Sequence, residues 1–580
     1  MTKVADTMSE SVSHKFERRF FDAEEHAMWM GSGSSGGKAQ GLAALDHVLK
    51  EGFDHDRFPG ITVDIPAFTV LRTDVFDAFL SQNGLEETAF SGRSDDFIAH
   101  EFQKASLPAD VVGDLRALIA QAHTPLAVRS SSLLEDALFQ PFAGIYATKM
   151  IPNNQPDPDE RFHKLVEAIK LVYASTFSGS AKDYIKATGR SARDEKMAVI
   201  IQEVIGRRFG GRFYPQASGV ARSYNFYPSG RAKPEDGVVS LALGLGKTIV
   251  DGGKCWTYSP KSPSATPPYS SIDELMEQTQ SRFWAVNMGK PPAYDPIRET
   301  EYLCEPGLPD AEEDGALRNI ASAYDPRSDR LSPGLAAPGP RVVNFAGLLV
   351  HKSFPLNDIV RQVLSLCHEE MKGPVEIEFA TTFDPDRVGF LQVRPMVVSA
   401  EEVDIEEKEM TDDRILLASV NVLGNGVVEG ITDVVYVKPD EFEARQTPAI
   451  AAELEMLNRR LLDEERPYLL IGFGRWGSSD PWLGIPVNWG GVCGARVIVE
   501  ATLPKMDIEL SQGSHFFHNL TSFRVSYFCV PHTGPYHIRW DLLCRQETET
   551  ELRFVRHARL SSPLRVKVDG RHSRGVISFT

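Results

Sequence analysis

Apolar and polar positions alternate with period two in two neighbouring runs, residues 375–383 and 388–394. The four residues between them, Asp-Pro-Asp-Arg at 384–387, have the composition of a tight turn. The pattern therefore predicts an antiparallel hairpin with one apolar face and one polar face. The residues predicted on the polar face are Glu376, Glu378, Phe390, Gln392 and Arg394.

Helical and strand-like patterns precede this hairpin. Apolar residues at helical spacing predict amphipathic helices at 42–49, 111–119, 161–177 and 359–371. Nearly continuous apolar runs predict buried strands at 126–129 and 197–206, and further strands are predicted at 218–226 and 238–252. Interleaved helices and strands of this kind predict an α/β fold with α+β character.

Composition divides the first part of the chain. Residues 1–30 are polar and charged, and they predict a loosely docked lead-in. We expect residues 31–398 to form one domain, because they contain the predicted helices, strands and hairpin. Within it, residues 260–340 are rich in Pro, Ser, Asp and Glu, as an insertion would be. Short helices are predicted inside this insertion at 272–288 and 312–322.

An acidic run at residues 399–414 marks the main domain boundary and predicts a linker, because its like charges oppose packing. The second domain is then 415–580, in which a strand and turn pattern leads to a predicted helix near 442–465. Residues 468–501 are dense in glycine and tryptophan. Such a segment is either a packed turn cluster or a ligand platform, and composition does not choose between them.

Length and charge limit the class of protein. A chain of 580 residues is too long for one core and divides into several domains. A formal net charge of -18 argues against a general surface for nucleic acid or anionic membrane. The six cysteines have no close pairs, which is typical of a reducing compartment rather than of a zinc motif or disulfide framework. With no apolar leader or spanning segment, a cytoplasmic protein is expected.

The polar face of the hairpin has two interpretations. It is either the solvated face of an edge hairpin or a site for a metal-bound polyphosphate. Glu378 and Gln392 offer carboxylate and amide oxygens, which suit a hard cation such as Mg²⁺. Arg394 offers a guanidinium, which suits phosphate oxygens.

Two upstream segments provide positive charge. The glycine-serine run at 31–37 opens into a predicted helix, where free N–H groups and Lys38 suit an anion, although a flexible linker has the same composition. Arg129 ends a predicted strand, and the serines at 130–132 are expected in the following loop. Guanidinium and hydroxyl donors there would converge on phosphate, although the tetrapeptide alone is also common in surface turns.

Polar residues also interrupt the strand predicted at 197–206. Gln202 and Glu203 are either satisfied by backbone at the strand end or line a cleft where the strand edge contacts a purine ring. The sequence GLGKT at 244–248 imitates a phosphate-binding loop, but Leu241 stands where the first glycine is required.

Four of these segments, taken in order, resemble the ATP-binding domain of the pyruvate phosphate dikinase and phosphoenolpyruvate synthase family, which has an ATP-grasp fold. They are GGKAQGL at 36–42, VRSSSLLED with FAG at 128–144, GLGKTIVDG at 244–252 and IEFATTFDPDRVGFLQVRP at 377–395. The sequence departs from the family at Leu133 and Leu134, where small residues are common, and at Lys247, where an acidic residue is usual.

The resemblance implies ATP and Mg²⁺ as cofactors and gives the matching residues roles. Lys38, Arg129 and Arg394 would hold the ATP phosphates, and the two arginines would act as catalytic residues. Glu378 and Gln392 would bind Mg²⁺, and Gln392 would also contact the nucleotide.

Enzymes of this family pass a phosphoryl group to a histidine on a swivelling domain and then to a substrate in a TIM barrel. Residues 415–580 resemble a divergent swivelling domain, and we expect no barrel, because a barrel takes about 250 residues. Gly513, Ser514 and His515 match the family's phosphohistidine signature, although its threonine is missing. His515 is therefore the candidate catalytic phosphoacceptor, and a structural histidine is the alternative.

The resulting hypothesis is an ATP-dependent phosphotransferase of the dikinase type. Its acceptor would be a small molecule or a protein, with no nucleic acid or membrane as partner, and the oligomeric state is open. A non-catalytic nucleotide-binding or regulatory protein with a degenerate histidine motif is the main alternative. An ATP-grasp ligase that forms an acyl phosphate on a carboxylate substrate is a third hypothesis.

Overall fold

A computed structural model of the chain describes residues 14–16, 27–132, 145–187, 191–226, 232–265, 272, 275–276, 279–396, 403–478, 480, 482–504, 506, 520, 525–570 and 572–580. The described helices are α1 (Gly36–Glu51), α2 (Thr73–Asn83), α3 (Glu86–Ala89), α4 (Asp95–Lys104), α5 (Ala109–Gln121), α6 (Pro158–Ser175), α7 (Gly179–Ala187), α8 (Lys247–Val250), α9 (Leu308–Glu313), α10 (Ala346–Leu349), α11 (Leu356–Met371), α12 (Thr447–Asp463) and α13 (Trp540–Leu543). Helices α1, α5, α6 and α11 confirm the four that apolar spacing predicts before the hairpin.

The described strands fall into a first group before the hairpin and a second group from the hairpin onward. The first group is β1 (His14–Lys15), β2 (Ala27–Met30), β3 (Thr62–Asp64), β4 (Phe68–Leu71), β5 (Leu126–Ser132), β6 (Thr148–Ile151), β7 (Met197–Glu203), β8 (Arg207–Phe209), β9 (Arg212–Tyr214), β10 (Ala217–Arg222), β11 (Val238–Ala242), β12 (Trp256–Tyr258), β13 (Ala285–Asn287), β14 (Leu303–Cys304), β15 (Ala321–Asp325), β16 (Arg330–Pro333) and β17 (Arg341–Val343). The second group is β18 (Val375–Thr382), β19 (Arg387–Pro395), β20 (Ile415–Ser419), β21 (Val422–Leu423), β22 (Gly426–Val437), β23 (Tyr468–Phe473), β24 (Arg475–Trp476), β25 (Gly484–Ile485), β26 (Ala495–Ala501), β27 (Ser526–Val530), β28 (Glu547–Glu551), β29 (Val555–Asp569) and β30 (Arg574–Phe579).

The first sheet has the order β1-β2-β4-β7-β5-β6. Its strand β2 comes from the predicted lead-in and pairs with β4, so that part of the lead-in is built into the sheet. The expectation that the strand ends at Arg129 is wrong. Residues 130–132 continue the ladder opposite residues 197–199 of β7, because every one of them has an antiparallel partner there.

The second sheet has the order β12-β11-β10-β18-β19-β3 and contains the predicted hairpin as β18 and β19. Helices α1 and α11 pack near this sheet, and their apolar faces share one core cluster with its strands. The predicted strand at 238–252 is divided, because β11 ends at Ala242 and the glycine-containing turn leads into the short helix α8.

The predicted insertion contributes strands to the fold. Strand β13 pairs with β9 and β14, and β15 pairs with β16 and β17. The helices predicted at 272–288 and 312–322 are therefore wrong at residues 285–287 and 321–322, which are strand. Apolar residues in these positions lie in core clusters, and tertiary pairing has overridden the local helical spacing.

The C-terminal sheet runs β20-β30-β29-β22-β23-β26-β27-β21, with β28 beside β29. Strands β22, β23, β26 and β27 pair in parallel, and helix α12 follows β22 as the sequence predicts. In the acidic run, Ile405 and Met410 are buried against β20 and β30, so apolar residues dock part of this run despite its charge. None of the described helices has the length and apolar composition needed to cross a membrane.

Candidate functional site

The glycine-serine run before α1 is an ordered turn held by the start of α2. Gly33 N donates to Asp74 Oδ1 at 2.9 Å, and Ser34 N donates to Thr73 Oγ1 at 2.9 Å. Burial opposes ionisation of Asp74, but hydrogen bonds from the turn hold the pKa of this carboxyl below its usual value. A flexible linker would lack these bonds, so that interpretation of the run is wrong.

Two glycines let α1 approach the neighbouring strands closely. Gly36 has φ +77°, and a Cβ added to it would lie 1.8 Å from the Ser131 carbonyl oxygen. A Cβ added to Gly41 would lie 2.6 Å from the Val393 carbonyl oxygen. The helix therefore begins wedged between β5 and β19, and Lys38 Nζ donates to Ser130 Oγ at 3.3 Å.

Arg129 joins the two six-stranded sheets. Its Nη1 donates to Gln202 Oε1 at 3.2 Å and to the Leu391 carbonyl oxygen at 3.0 Å. Its Nη2 donates to Gln392 Oε1 at 2.7 Å and lies 3.5 Å from Glu378 Oε2. The structure thus brings four of the predicted site residues, Arg129, Gln202, Glu378 and Gln392, into one cluster.

A β-bulge shapes the polar face of the hairpin. Glu378 is opposite Gln392 and Phe379 is opposite Phe390, which leaves Leu391 without a register partner. Phe390 consequently packs in the apolar core, with its ring centroid 6.1 Å from that of Phe379. The prediction that Phe390 shares the polar face is wrong, because simple alternation cannot anticipate an extra residue.

Arg394 lies on the polar face but is held by a carboxylate that sequence reasoning did not assign to the site. Arg394 Nε donates to Glu376 Oε1 at 2.8 Å, and Arg222 Nε donates to Glu376 Oε2 at 2.5 Å. Arg394 is 1% exposed and Glu376 is 2% exposed. Arg394, Glu376 and Arg222 therefore extend the polar face on which Glu378 and Gln392 lie. Arg222 was missed, although its place in a strand predicted at 218–226 could have indicated it.

Two buried polar atoms in the cluster have no hydrogen-bond partner among the described residues. They are Oε1 of Glu378 and Nε2 of Gln202. A buried carboxylate oxygen without a donor is unfavourable unless a cation or a bound ligand satisfies it. Together with the Gln392 side-chain oxygen, Glu378 offers the oxygen ligands that Mg²⁺ prefers, so the residues present fit that ion.

The two polar residues at the end of β7 have different surroundings. Gln202 is 2% exposed, and its Oε1 accepts from Arg129 Nη1. Glu203 contacts Arg387, with Nη2 and Oε2 3.7 Å apart, and Arg387 also pairs with Asp64. The structure therefore joins Gln202 to the Arg129 cluster and pairs Glu203 with the start of β19.

A second group of charges lies near Lys38. Lys247 Nζ pairs with Asp251 Oδ2 at 3.0 Å, and the Thr148 amide, opposite Arg129 in the β5–β6 pair, donates to Glu299 Oε1 at 3.3 Å. Desolvation raises the pKa of Glu299, and the charges of Lys247 and Lys38 oppose that rise. Burial lowers the pKa of Lys247, but Asp251 and Glu299 outweigh it and leave the pKa raised. Sequence reasoning missed Glu299, which lies in the predicted insertion.

The candidate phosphoacceptor His515 lies outside the described residues. Met506 is the last described residue before it in the sequence, and a Cβ added to Gly474 would lie 3.2 Å from Met506 Cε.

The chain is similar in sequence to known proteins. The chain is 25% identical over 199 residues to the "Uncharacterized phosphotransferase YvkC" of Bacillus subtilis (strain 168), an alignment that covers 32% of this chain. The alignment covers 20% of that protein, so the chain matches a fifth of its relative's length. A model of the family described as "Pyruvate phosphate dikinase, AMP/ATP-binding domain" matches residues 33–415, more than half of the chain and including every member of the Arg129 cluster. The chain therefore belongs to the pyruvate phosphate dikinase AMP/ATP-binding domain family.

Proposed function

We propose that the chain is an ATP-dependent phosphotransferase of the dikinase type. The observation that carries this proposal is the Arg129 cluster, in which the guanidinium lies 3.5 Å from Glu378 Oε2 while the buried Glu378 Oε1 has no hydrogen-bond donor among the described residues. The positive charge of the guanidinium would attract phosphate oxygens, and a divalent cation would satisfy the carboxylate. The name of the Bacillus subtilis relative, a phosphotransferase, supports the same class of activity.

In this proposal, different residues of the site bind the phosphates, the metal ion and the rest of the nucleotide. Lys38, Arg129 and Arg394 neutralise the triphosphate, which stabilises the charge that builds up on phosphate oxygens during transfer. Glu378 and Gln392 would hold Mg²⁺, which when bound would offset phosphate charge. Gln202, whose Nε2 is buried and lacks an acceptor among the described residues, would donate to the nucleotide.

His515 receives the phosphoryl group in this proposal. A neutral imidazole nitrogen attacks phosphorus in line, an N–P bond forms, and the P–O bond to the leaving phosphate group breaks. The second ring nitrogen loses its proton to solvent, and the phosphohistidine then transfers its phosphoryl group to a small-molecule or protein acceptor. The Arg129 cluster recognises the donor and carries no information on the acceptor.

The test is incubation of the protein with Mg²⁺ and ATP labelled either at the terminal or at an internal phosphate. We expect label on the protein that acid releases and alkali does not, as is typical of phosphohistidine. The label should disappear in His515→Ala and remain in His100→Ala, a matched variant of an exposed histidine on α4. Tight ATP binding without labelled protein would contradict the proposal.

A second candidate is a non-catalytic nucleotide-binding or regulatory protein. The observation that favours it is the packing of α7 against the C-terminal domain, where Tyr184 and Ile185 share a core cluster with Trp489 and Cys493. A domain buried in this way is less free to swing between two sites than one joined by a linker alone. ATP binding that raises the melting temperature without any nucleotide turnover would support this candidate.

A further inference from the structure

Arg475 is the first residue of β24, which pairs in parallel with β25 within the glycine- and tryptophan-rich segment. Gly474 has φ +74°, and a Cβ added to Gly484 would lie 1.9 Å from the Arg475 carbonyl oxygen. Trp476 fixes this strand pair in the domain, since it is 1% exposed and its Nε1 donates to the Val499 carbonyl oxygen at 3.1 Å. The backbone of Arg475 is therefore held at a defined position.

The side chain of Arg475 leaves the C-terminal domain and reaches a loop of the nucleotide-binding domain. Its Nη1 donates to the Gly252 carbonyl oxygen at 3.1 Å, and the residue is 7% exposed. Burial raises the pKa of the nearby Cys255 thiol, and the positive charges of Arg475 and Arg222 oppose this rise.

The loop that Arg475 contacts, residues 244–253, is named here the glycine loop. Leu245 N donates to the Trp284 carbonyl oxygen at 2.9 Å, which fixes the start of the loop. Lys247 lies in its middle and pairs with Asp251 near its end. Ser218 Oγ donates to the Gly244 carbonyl oxygen at 2.6 Å, and Ser218 is opposite Ala380 in the β10–β18 pair, so the glycine loop borders the sheet whose hairpin forms the proposed site.

A separate contact docks the C-terminal domain on α7. Arg459 Nε donates to Asp183 Oδ2 at 3.1 Å, and a Cβ added to Gly490 would lie 2.4 Å from the Ser180 carbonyl oxygen. Among the described residues, the domain therefore contacts α7 as well as the glycine loop, which it touches through Arg475. The contact on α7 offers a control, because it involves the same two domains without touching that loop.

We propose that Arg475 is a positioning residue of the ATP site, supplied by the C-terminal domain to hold the glycine loop through Gly252. This inference rests on the proposed binding of Mg²⁺-ATP. With the bond present, the loop keeps Lys247 beside Asp251 and Glu299 while phosphates bind. Without it, the loop gains freedom, and ordering that loop adds to the barrier for phosphoryl transfer.

The test compares Arg475→Ala and Arg475→Lys with Arg459→Ala, which breaks the ion pair on α7 instead. The readouts are hydrogen exchange of amides 246–253 with and without Mg²⁺-ATP, the Kd for Mg²⁺-ATP, and the rate of protein labelling by ATP. In Arg475→Ala we expect loop exchange to rise and labelling to slow at least about tenfold, with Kd changed less than about fivefold. Arg475→Lys should recover most of the loss, and Arg459→Ala should show neither effect.

Several results would overturn the proposal. These are wild-type loop exchange in Arg475→Ala, an equal effect in Arg459→Ala, or a loop that Mg²⁺-ATP does not protect in the wild-type protein. If the wild-type protein is not labelled, the proposed function fails, while hydrogen exchange still decides the role of Arg475. If Arg475→Ala does not fold, Arg475→Gln replaces it in the same measurements with the same expected direction.

Discussion

Arg129 Nη2 and Gln392 Oε1 lie 2.7 Å apart although their residues are separated by 263 positions in the sequence. The bond crosses from the first six-stranded sheet to the second and places a guanidinium beside the hairpin's carboxylate and amide oxygens. The geometry of this one side chain therefore sets the relation between the phosphate-binding and cation-binding parts of the proposed site.

Replacing Arg129 with lysine keeps the charge and removes the planar fork that reaches several acceptors at once. We expect the Kd for Mg²⁺-ATP to rise at least tenfold, about 1.4 kcal/mol, because one ammonium cannot hold Gln392, Leu391 and phosphate together. Isothermal titration measures this directly. Arg116→Lys, a change of an arginine 46% exposed on α5, serves as the control and should leave Kd unchanged. Equal affinities in both variants would contradict the role of Arg129.

Glu378→Gln tests the cation-binding role. Without Mg²⁺ we expect the melting temperature to change little, because the variant removes a charge whose Oε1 has no partner among the described residues but also weakens the contact of Oε2 with Arg129. With Mg²⁺-ATP we expect most of the wild-type thermal stabilisation to be lost, since that stabilisation depends on binding to the folded state. Melting curves in EDTA and in Mg²⁺-ATP separate the two effects. Glu101→Gln on α4 should behave as the wild-type protein in both, and an Mg²⁺-ATP shift retained in Glu378→Gln would contradict the assignment.

Gly36→Ala and Gly60→Ala form a matched pair. Both glycines have positive φ, +77° and +79°, but a Cβ on Gly36 meets the Ser131 carbonyl at 1.8 Å, whereas a Cβ on Gly60 has nothing within 4 Å. We expect Gly60→Ala to lower the free energy of unfolding by about 1–2 kcal/mol, the cost of the left-handed conformation. Gly36→Ala should add an overpacking cost of about 1–3 kcal/mol. Urea denaturation measures both, and equal losses would show that α1 does not need its close approach.

Asp433, which is buried in the C-terminal sheet, should make the stability of the folded protein fall at acid pH. Burial opposes its ionisation, but hydrogen bonds from His557, Arg466 and Arg559 hold its pKa well below the usual value. A lowered folded pKa gives stability that is complete above the unfolded pKa, about 4, and is lost as pH falls below it. We expect Asp433→Asn to be less stable at neutral pH by about 1.5–3 kcal/mol, because the buried His557 and the partly exposed Arg466 and Arg559 lose their carboxylate acceptor.

The difference in melting temperature between the wild-type protein and Asp433→Asn should shrink as pH is lowered from about 4 to about 2.5. Asp440→Asn, at an exposed position of the same domain, is the control and should follow the wild-type protein throughout. A difference that stays constant with pH would show that Asp433 acts through packing rather than charge.

Local pattern was enough to predict several parts of the fold. The hairpin of β18 and β19 and the long helices α1, α6 and α11 each have a clear period that reflects one buried face. The family could be predicted because its motifs occur in a fixed order along the chain. Each motif alone is ambiguous, as the glycine-serine run before Lys38 illustrates.

Pairing between distant residues could not be predicted. Residues 130–132 resemble a polar loop until their partners at 197–199 are known. The Arg222–Glu376 pair joins residues 154 positions apart, and Glu299 reaches Thr148 across 151 positions. Periodicity describes which face of an element is buried and has no information on which distant strand lies beside it.

At the Leu391 bulge, the presence of an extra residue matters more than the identity of its side chain. The Leu391 side chain is half-buried and lies outside the core clusters of the described residues, whereas its carbonyl oxygen accepts from Arg129 Nη1 at 3.0 Å. Deleting this residue would leave a regular hairpin with Phe390 still facing the core and Gln392 still facing Glu378, but without that backbone acceptor. The position should therefore tolerate many side chains and no shortening, so insertions and deletions, rather than substitutions, are the changes to which this strand is most sensitive.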